Sequence, residues 1–294
     1  MINLESIKGE YPFQPHTFDI DGLSMNYIDE GSGEPIVMLH GNPTWSFYYR
    51  KLVAPLGGRC RVVVPDHIGC GLSSKPQRYR YTLATHIDNL TRLIDHLGLK
   101  DITLAVHDWG GAIGIGYAVR HPENVKRIVV FNTAAFLSPN IPPSINLCRT
   151  PILGEFVMRG LNGFLGAGVH LRFGMAKPER FTDEVKEGYL APYRTWHDRV
   201  AIARFVQDIP MSMDHPTYNL LLSIQESLGL LKDKPMRIIW GMNDFCFTEK
   251  FLESWMKYFP EAEIHRMEDA GHWVVEDSYE KIIPLLESFM EGGR

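Results

Sequence analysis

Val106-His107-Asp108-Trp109-Gly110-Gly111 is the stretch on which the reading of the fold turns. Before it, Ile102 to Val106 is an apolar run of strand length. After it, Ala112 to Arg120 is rich in small residues and compatible with a helix. A buried strand, a tight glycine-bearing turn and a helix place one side chain at the carboxyl edge of a sheet, the arrangement called a nucleophile elbow. The common form of the elbow reads G-x-S-x-G. Here Val106 stands at the first glycine, Asp108 at the serine and Gly110 at the second glycine, so the nucleophile of such an elbow is a carboxylate. The six residues equally describe an ordinary strand-to-helix turn in which Asp108 caps the helix. The rest of the chain decides between the two.

Short apolar runs recur on both sides of this stretch. Leu23 to Ile28 reads as a strand, followed by a turn at Gly31-Ser32-Gly33. Pro35 to Leu39 is too short for a helix and lacks polar alternation, as buried parallel strands do. Arg61 to Pro65, Val125 to Phe131, Met236 to Trp240 and Glu263 to Met267 read as further strands. Helical spacing separates them: Trp45 to about Leu56, Tyr81 to Leu97 with Gly98 as its stop, Glu249 to Tyr258, and Ser278 to Met290. From Leu137 to Met213 the alternation lapses into proline-punctuated, glycine-rich and helix-like sequence. The expectation is an α/β fold: a mostly parallel central sheet flanked by helices, with residues 1–136 and 214–294 as its core and an inserted helical cap at 137–213.

Composition narrows the function classes. The 294 residues carry a net charge of −5, which points to neither nucleic acid nor an anionic membrane. The four cysteines, Cys60, Cys70, Cys148 and Cys246, have no metal-type spacing. Scattered thiols and an N-terminus without an apolar leader segment suggest a reducing, cytoplasmic setting. The longest uncharged run, Ile128 to Cys148, contains three prolines and three asparagines and is not a membrane span. No metal site is supported by the twelve scattered histidines, and no cofactor-binding loop by the glycines at 110, 111, 114 and 116, whose spacing is wrong for G-x-G-x-x-G.

Chemistry in such a sheet sits at the carboxyl ends of its strands, and three further positions there carry candidate groups. Asn42 follows the strand Pro35 to Leu39, Asp244 follows Met236 to Trp240, and His272 follows Glu263 to Met267. Each has a plainer reading: Asn42 as a turn residue, the lone histidine as a satisfied surface group. Together they give the chain order nucleophile, acid, histidine expected of a hydrolase triad, with Asp108, Asp244 and His272 in those roles.

His40-Gly41-Asn42-Pro43-Thr44-Trp45, Pro65-Asp66-His67-Ile68-Gly69, His107-Asp108-Trp109-Gly110-Gly111, Gly241-Met242-Asn243-Asp244 and Gly271-His272 together resemble the haloalkane dehalogenase family of α/β-hydrolases. The resemblance covers nearly the whole chain and is weakest through the cap. It implies an α/β-hydrolase fold with Asp108 as nucleophile, His272 as base, and Asn42 and Trp109 as halide-binding donors. The family places its acid after either the sixth or the seventh strand. Asn132 occupies the first place and Asp244 the second, so the resemblance assigns the acid to Asp244. Asn132-Thr133-Ala134-Ala135-Phe136, Arg204 to Pro210 and Asp244-Phe245-Cys246-Phe247 are similar also to the β-lactone decarboxylase of bacterial olefin biosynthesis.

These residue types suit alkyl-halide chemistry. The attacked carbon is saturated, so negative charge develops on the leaving halide, where the Trp109 indole and Asn42 amide can donate. The carboxylate displacement product is an ester, which water activated by His272 and Asp244 can cleave. Backbone N–H groups of Asn42 and Trp109 are the expected oxyanion hole. The same parts can open a β-lactone, with the Asn42–Trp109 pair holding the departing carboxylate as alkene and carbon dioxide leave. The dehalogenase reading ranks first here and the decarboxylase second. An epoxide hydrolase, with Tyr189 and Tyr193 as proton donors from the cap, ranks third. Trp109 stands where a fluoroacetate dehalogenase carries arginine, and a non-catalytic ligand-binding module is remote because no triad member is missing. The apolar cap residues Phe156, Val157, Met158, Leu161, Phe164, Leu165 and Leu171 either face a hydrophobic substrate or pack the cap onto the core. The expected partners are a small apolar substrate and a second copy of the chain or, under the decarboxylase reading, other olefin-pathway enzymes.

Overall fold

A computed structural model describes residues 4–171 and 174–292 of the chain. The apolar runs form one eight-stranded sheet. Its strands are β1 (His16–Ile20), β2 (Leu23–Glu30), β3 (Pro35–Leu39), β4 (Arg61–Pro65), β5 (Ile102–Val106), β6 (Val125–Val130), β7 (Met236–Gly241) and β8 (Glu263–Met267). They lie in the order β1-β2-β4-β3-β5-β6-β7-β8. β1 and β2 run antiparallel at one edge, and β4 through β8 are mutually parallel. The chain thus reverses direction beside β3 and β5, and the carboxyl ends of these two strands lie side by side, with Leu39 paired to Val106.

Alternation along each strand feeds two cores. Val37, Leu39, Leu104, Val106 and Ile238 point to one face, where they meet α2 (Leu83–His96), α3 (Trp109–Arg120), α9 (Tyr218–Ser227) and α10 (Glu249–Tyr258). Ile36, Met38, Ala105, Val129 and Ile239 point to the other, against α1 (Arg50–Gly57) and α11 (Val274–Met290). Both sheet faces are covered, which is why the central strands are predominantly apolar.

Three core elements depart from the sequence expectation: β1, the last helix, and α9, for which the sequence showed no element. β1 was not anticipated. Its His16 and Asp19 give it the polarity of an edge strand, and it joins β2 through Asp21 and Gly22, both at positive φ as a tight hairpin requires. The last helix starts at Val274 rather than Ser278, because a short helical turn precedes a kink at Ser278 (φ −145°) and runs into the main helix.

Between β6 and β7 no strand occurs among the described residues. The chain instead forms α4 (Pro143–Cys148), α5 (Pro151–Glu155), a single π turn (Phe156–Gly160), α6 (Gly163–His170), α7 (Asp183–Leu190) and α8 (Val200–Gln207) before α9. These short helices cover the carboxyl edge of the sheet and are pinned to the core by buried polar contacts. Arg50 of α1 holds Glu276 of α11, and Glu276 also accepts from the Tyr189 hydroxyl of α7. Asp277 accepts from the backbone N–H groups of Ala176 and Lys177 at 3.0 and 2.9 Å, and from Gly271 at 2.8 Å. No described helix is long and apolar enough to cross a membrane.

Candidate active site

The elbow is built by close backbone approach. Asp108 sits at φ +49°, ψ −125°, a left-handed conformation that costs about 1–3 kcal/mol for a non-glycine residue. Its neighbours show what enforces it. A Cβ on Gly110 would fall 2.1 Å from the Leu39 carbonyl oxygen, and one on Gly111 would fall 1.9 Å from Thr133 Oγ1. Helix α3 therefore starts in contact with the ends of both flanking strands. A Cβ on Gly41 would strike the Asp108 side chain itself, at 2.1 Å from Oδ1.

The strand ends bring the five expected site residues into two contact groups, one around Asp108 and one joining His272 to Asp244. The Asn42 backbone N–H donates to Asp108 Oδ1 at 2.6 Å, and the Trp109 N–H also bonds this carboxylate. His272 Nδ1 lies 2.9 Å from Asp244 Oδ2, and the Asp244 side chain is fully buried. Asp244 Oδ1 accepts from the backbone N–H groups of Cys246 and Phe247 at 2.7 and 3.0 Å, a turn that closes on its own aspartate. The imidazole stacks on Phe247 at 5.8 Å between centroids and packs against His107 at 4.9 Å. His107 Nε2 in turn meets the His272 carbonyl oxygen at 2.8 Å.

Asn132 occupies the other place where an acid could stand. Its Oδ1 accepts from Gly241 N–H at 2.7 Å and its Nδ2 donates to the Gly241 carbonyl at 2.9 Å. It staples the end of β6 to the end of β7, so the asparagine holds in register the strand that delivers Asp244.

Burial pushes the Asp108 carboxyl above its usual range, while the nearby His272 charge and the Asn42 and Trp109 N–H groups pull it back. His272 is displaced the other way. Burial favours its neutral form, but the facing carboxylates of Asp244 and Asp108 outweigh this and raise it. A carboxylate and an imidazole whose ionised forms support one another are the expected signature of a reactive pair.

Asp108, Asn42 and Trp109 line a cavity of about 870 Å³, its mouth included. The walls are otherwise apolar and come from both the core and the cap: Phe136, Ile145, Phe164, Val206, Leu221 and Phe247 among them. Trp45, Trp240 and Trp255 each spend their indole N–H on a backbone carbonyl. Trp109 has no such acceptor among the described residues, and its ring rests on Phe205 at 5.4 Å. The Asn42 amide donates one hydrogen to the Ile202 carbonyl at 3.1 Å, and its Oδ1 has no protein partner. Among the described residues no group of three or more acidic, histidine or cysteine side chains is placed to hold a metal ion.

Several expectations need correction. Of the seven cap residues set between substrate and packing, Phe164 alone lines this cavity. Met158 and Leu165 are buried in packing clusters, while Phe156, Leu161 and Leu171 point to solvent. Tyr189 and Tyr193 are fully buried away from the cavity: Tyr189 binds Glu276, and Tyr193 donates to the Thr44 carbonyl at 3.2 Å. They cannot supply protons there, which removes the donors the epoxide hydrolase reading required. Cys246 and Phe251 line the cavity and were not singled out. The Asp-x-Cys-Phe turn around Asp244 was the available signal for Cys246.

His40, His67, His86 and His107 are buried, and burial depresses all four, His67 to about 4. The unfolded chain takes up these protons near the ordinary value of about 6.5, whereas the folded chain resists them. Their contribution to stability is therefore intact above pH 6.5 and is lost as the pH falls towards 4. Buried Asp66, Asp208 and Asp277, raised by burial, act in the opposite sense as they protonate in the folded state. With the histidines dominant, the melting temperature measured by scanning calorimetry should drop by at least ~3 °C per pH unit across this window. A flat profile from pH 7 to 5 would show that the histidines do not dominate over the buried carboxyls.

A strained carboxylate elbow, an Asp–His pair and a helical roof over a parallel sheet define an α/β-hydrolase. The α/β hydrolase fold family model matches residues 34–160, and the chain belongs to the branch of these enzymes that holds the haloalkane dehalogenases and the β-lactone decarboxylases. The cis-3-alkyl-4-alkyloxetan-2-one decarboxylase of Shewanella oneidensis is 43% identical over 285 residues, covering 95% of this chain and 89% of the relative. Haloalkane dehalogenase 1 of Mycobacterium bovis is 35% identical over 295 residues, covering 96% and 94%. In structure, the chain is similar to the haloalkane dehalogenase DatA from Agrobacterium tumefaciens C58, with a TM-score of 0.84, 27% identity and coverage of 95% and 96%.

Proposed function

We propose that this protein is a β-lactone decarboxylase acting on a cis-3,4-dialkyl oxetan-2-one, and that dehalogenation, ranked first on the sequence alone, is the second reading. The carrying observation is the 43% identity over nearly the whole chain to an enzyme named for that reaction, against 35% to a haloalkane dehalogenase. The site's chemistry supports the same reading. Asp108 Oδ1 is tied to the Asn42 backbone, which leaves Oδ2 to attack ring carbon C4. The C4–O1 bond breaks, and the carboxylate so released is held by the Trp109 indole N–H and the second Asn42 amide hydrogen. The C2–C3 bond then breaks as carbon dioxide departs. Its electron pair becomes the C3=C4 double bond, and Asp108 leaves C4 as a carboxylate. No water is consumed. Asp244 orients His272 towards the Asp108 carboxylate. The apolar walls of the cavity suit two alkyl chains.

The test runs two substrates in parallel. The purified protein is given a cis-3,4-dialkyl β-lactone, with alkene read by gas chromatography, and 1-bromohexane, with bromide read by ion chromatography. Alkene from the lactone, lost in Asp108→Asn, is the expected result. Bromide release without alkene would replace this reading with dehalogenation.

A further inference from the structure

The roof of the cavity has an outer side. α4 and α6 send Ile145 and Phe164 inwards to the cavity. The same short stretch sends Leu147, Ile152, Leu153, Phe156 and Leu161 outwards, each between 50 and 88% exposed. Half of the ten large apolar side chains that are exposed among the described residues therefore fall within residues 147–161. Trp196 adjoins them. A Cβ on Gly160 would stand 3.2 Å from the Phe156 ring and 3.3 Å from the Trp196 ring, so the two aromatics flank one glycine. Isolated exposed apolar residues are ordinary, but a contiguous group marks a surface that is covered in use.

Charge indicates what covers it. The chain as a whole is acidic at −5, yet residues 137–171 hold two arginines (Arg149 and Arg159) and a single acidic residue, Glu155. Glu155 is neutralised by Arg159 and by Arg204, the latter at 2.8 Å. This is the corner at which an acidic protein can approach an anionic surface without repulsion. An apolar helical face with few acids and an aromatic ring at its rim is the pattern of elements that lie in a lipid interface.

We propose that this outer face of the cap docks on an anionic lipid bilayer, with Leu147, Ile152, Leu153, Phe156 and Leu161 at the acyl boundary and Trp196 at the headgroup level. The docking itself does not depend on the reaction. Its use does rest on the decarboxylase reading, because an unbranched alkene has no polar group and partitions from the cavity into acyl chains rather than water.

The full chain is sedimented with vesicles of phosphatidylglycerol and phosphatidylcholine in equal parts, and with phosphatidylcholine alone. The wild type should pellet with the anionic vesicles and less with the neutral ones. The double variant Ile152→Glu/Phe156→Glu should bind about tenfold more weakly, with an unchanged circular dichroism spectrum and unchanged turnover of a short-chain, water-soluble lactone. A wild type that stays in the supernatant with both vesicles overturns the proposal. So does a wild-type oligomer in gel filtration that the double variant dissociates, which would assign the face to a second copy of the chain. If lipid binding is seen but no lactone is turned over, the decarboxylase reading fails and the docking surface stands.

Discussion

Asp108→Asn is expected to lower turnover by about 10⁴-fold or more while making the protein harder to melt. The rate loss follows from removing a nucleophile for which the cavity offers no substitute, and losses of this size are seen when a covalent-catalysis residue is removed. The gain in stability has a separate origin. Burial disfavours the charged form of the Asp108 carboxyl, so a neutral amide of the same shape relieves a desolvation penalty. Asparagine also tolerates the positive φ of +49° that the elbow imposes, so the backbone need not move. A rise of about 2 °C in melting temperature accompanies each kcal/mol relieved. A variant that loses both activity and stability would mean that the Asp108 carboxylate is held by its N–H donors more strongly than burial opposes it.

His272→Phe separates the two chemistries. In dehalogenation the alkyl ester on Asp108 needs a water made nucleophilic by the imidazole, and general-base help is worth about 10²–10⁴-fold. Bromide release from 1-bromohexane should then stop after one equivalent, with the alkyl mass retained on the peptide containing Asp108. In lactone decarboxylation the adduct collapses by expelling carbon dioxide, so alkene formation should continue through many turnovers at a reduced rate. Intact-protein mass spectrometry and product counting settle the matter in one preparation. Phenylalanine can keep the packing against Phe247 and His107. Multiple turnovers on the halide would show that another group activates water.

The parts of this molecule that could be read from its sequence are those in which one physical demand acts alone. β3, β5 and β7 are buried on both faces and are mostly apolar, and the polar residues that follow mark the sheet's reactive edge. That is why Asp108, Asn42, Asp244 and His272 could be located before any coordinates. β1 was missed because it is an edge strand, where His16 and Asp19 meet solvent and the alternation is blurred. α9 was missed because its ten residues bury little beyond Ile224. The cap resisted for a different reason. Its helices are short and apolar on more than one side, so composition indicates hydrophobic contact without indicating with what. Phe164 turned out to face the cavity, Met158 the cap's own packing and Phe156 the outside, from one run of similar residues. Tyr189 and Tyr193 misled in the same way, since sequence distance from the elbow says nothing about which way a cap side chain points.

The pairing of Leu39 with Val106 has a consequence for how such an enzyme can change over time. Asn42 lies three residues past one paired position and Asp108 two past the other, so their separation is fixed by hydrogen bonds between neighbouring strands. None of those bonds involves α4 to α8. α8 touches both donors, because the Ile202 carbonyl accepts from the Asn42 amide and Phe205 carries the Trp109 ring, but mutations that reshape α4 to α7 can alter which molecules are admitted without moving the attacking oxygen relative to its donors. Selection for a new substrate can then work on one side of the cavity while the chemistry on the other is inherited intact.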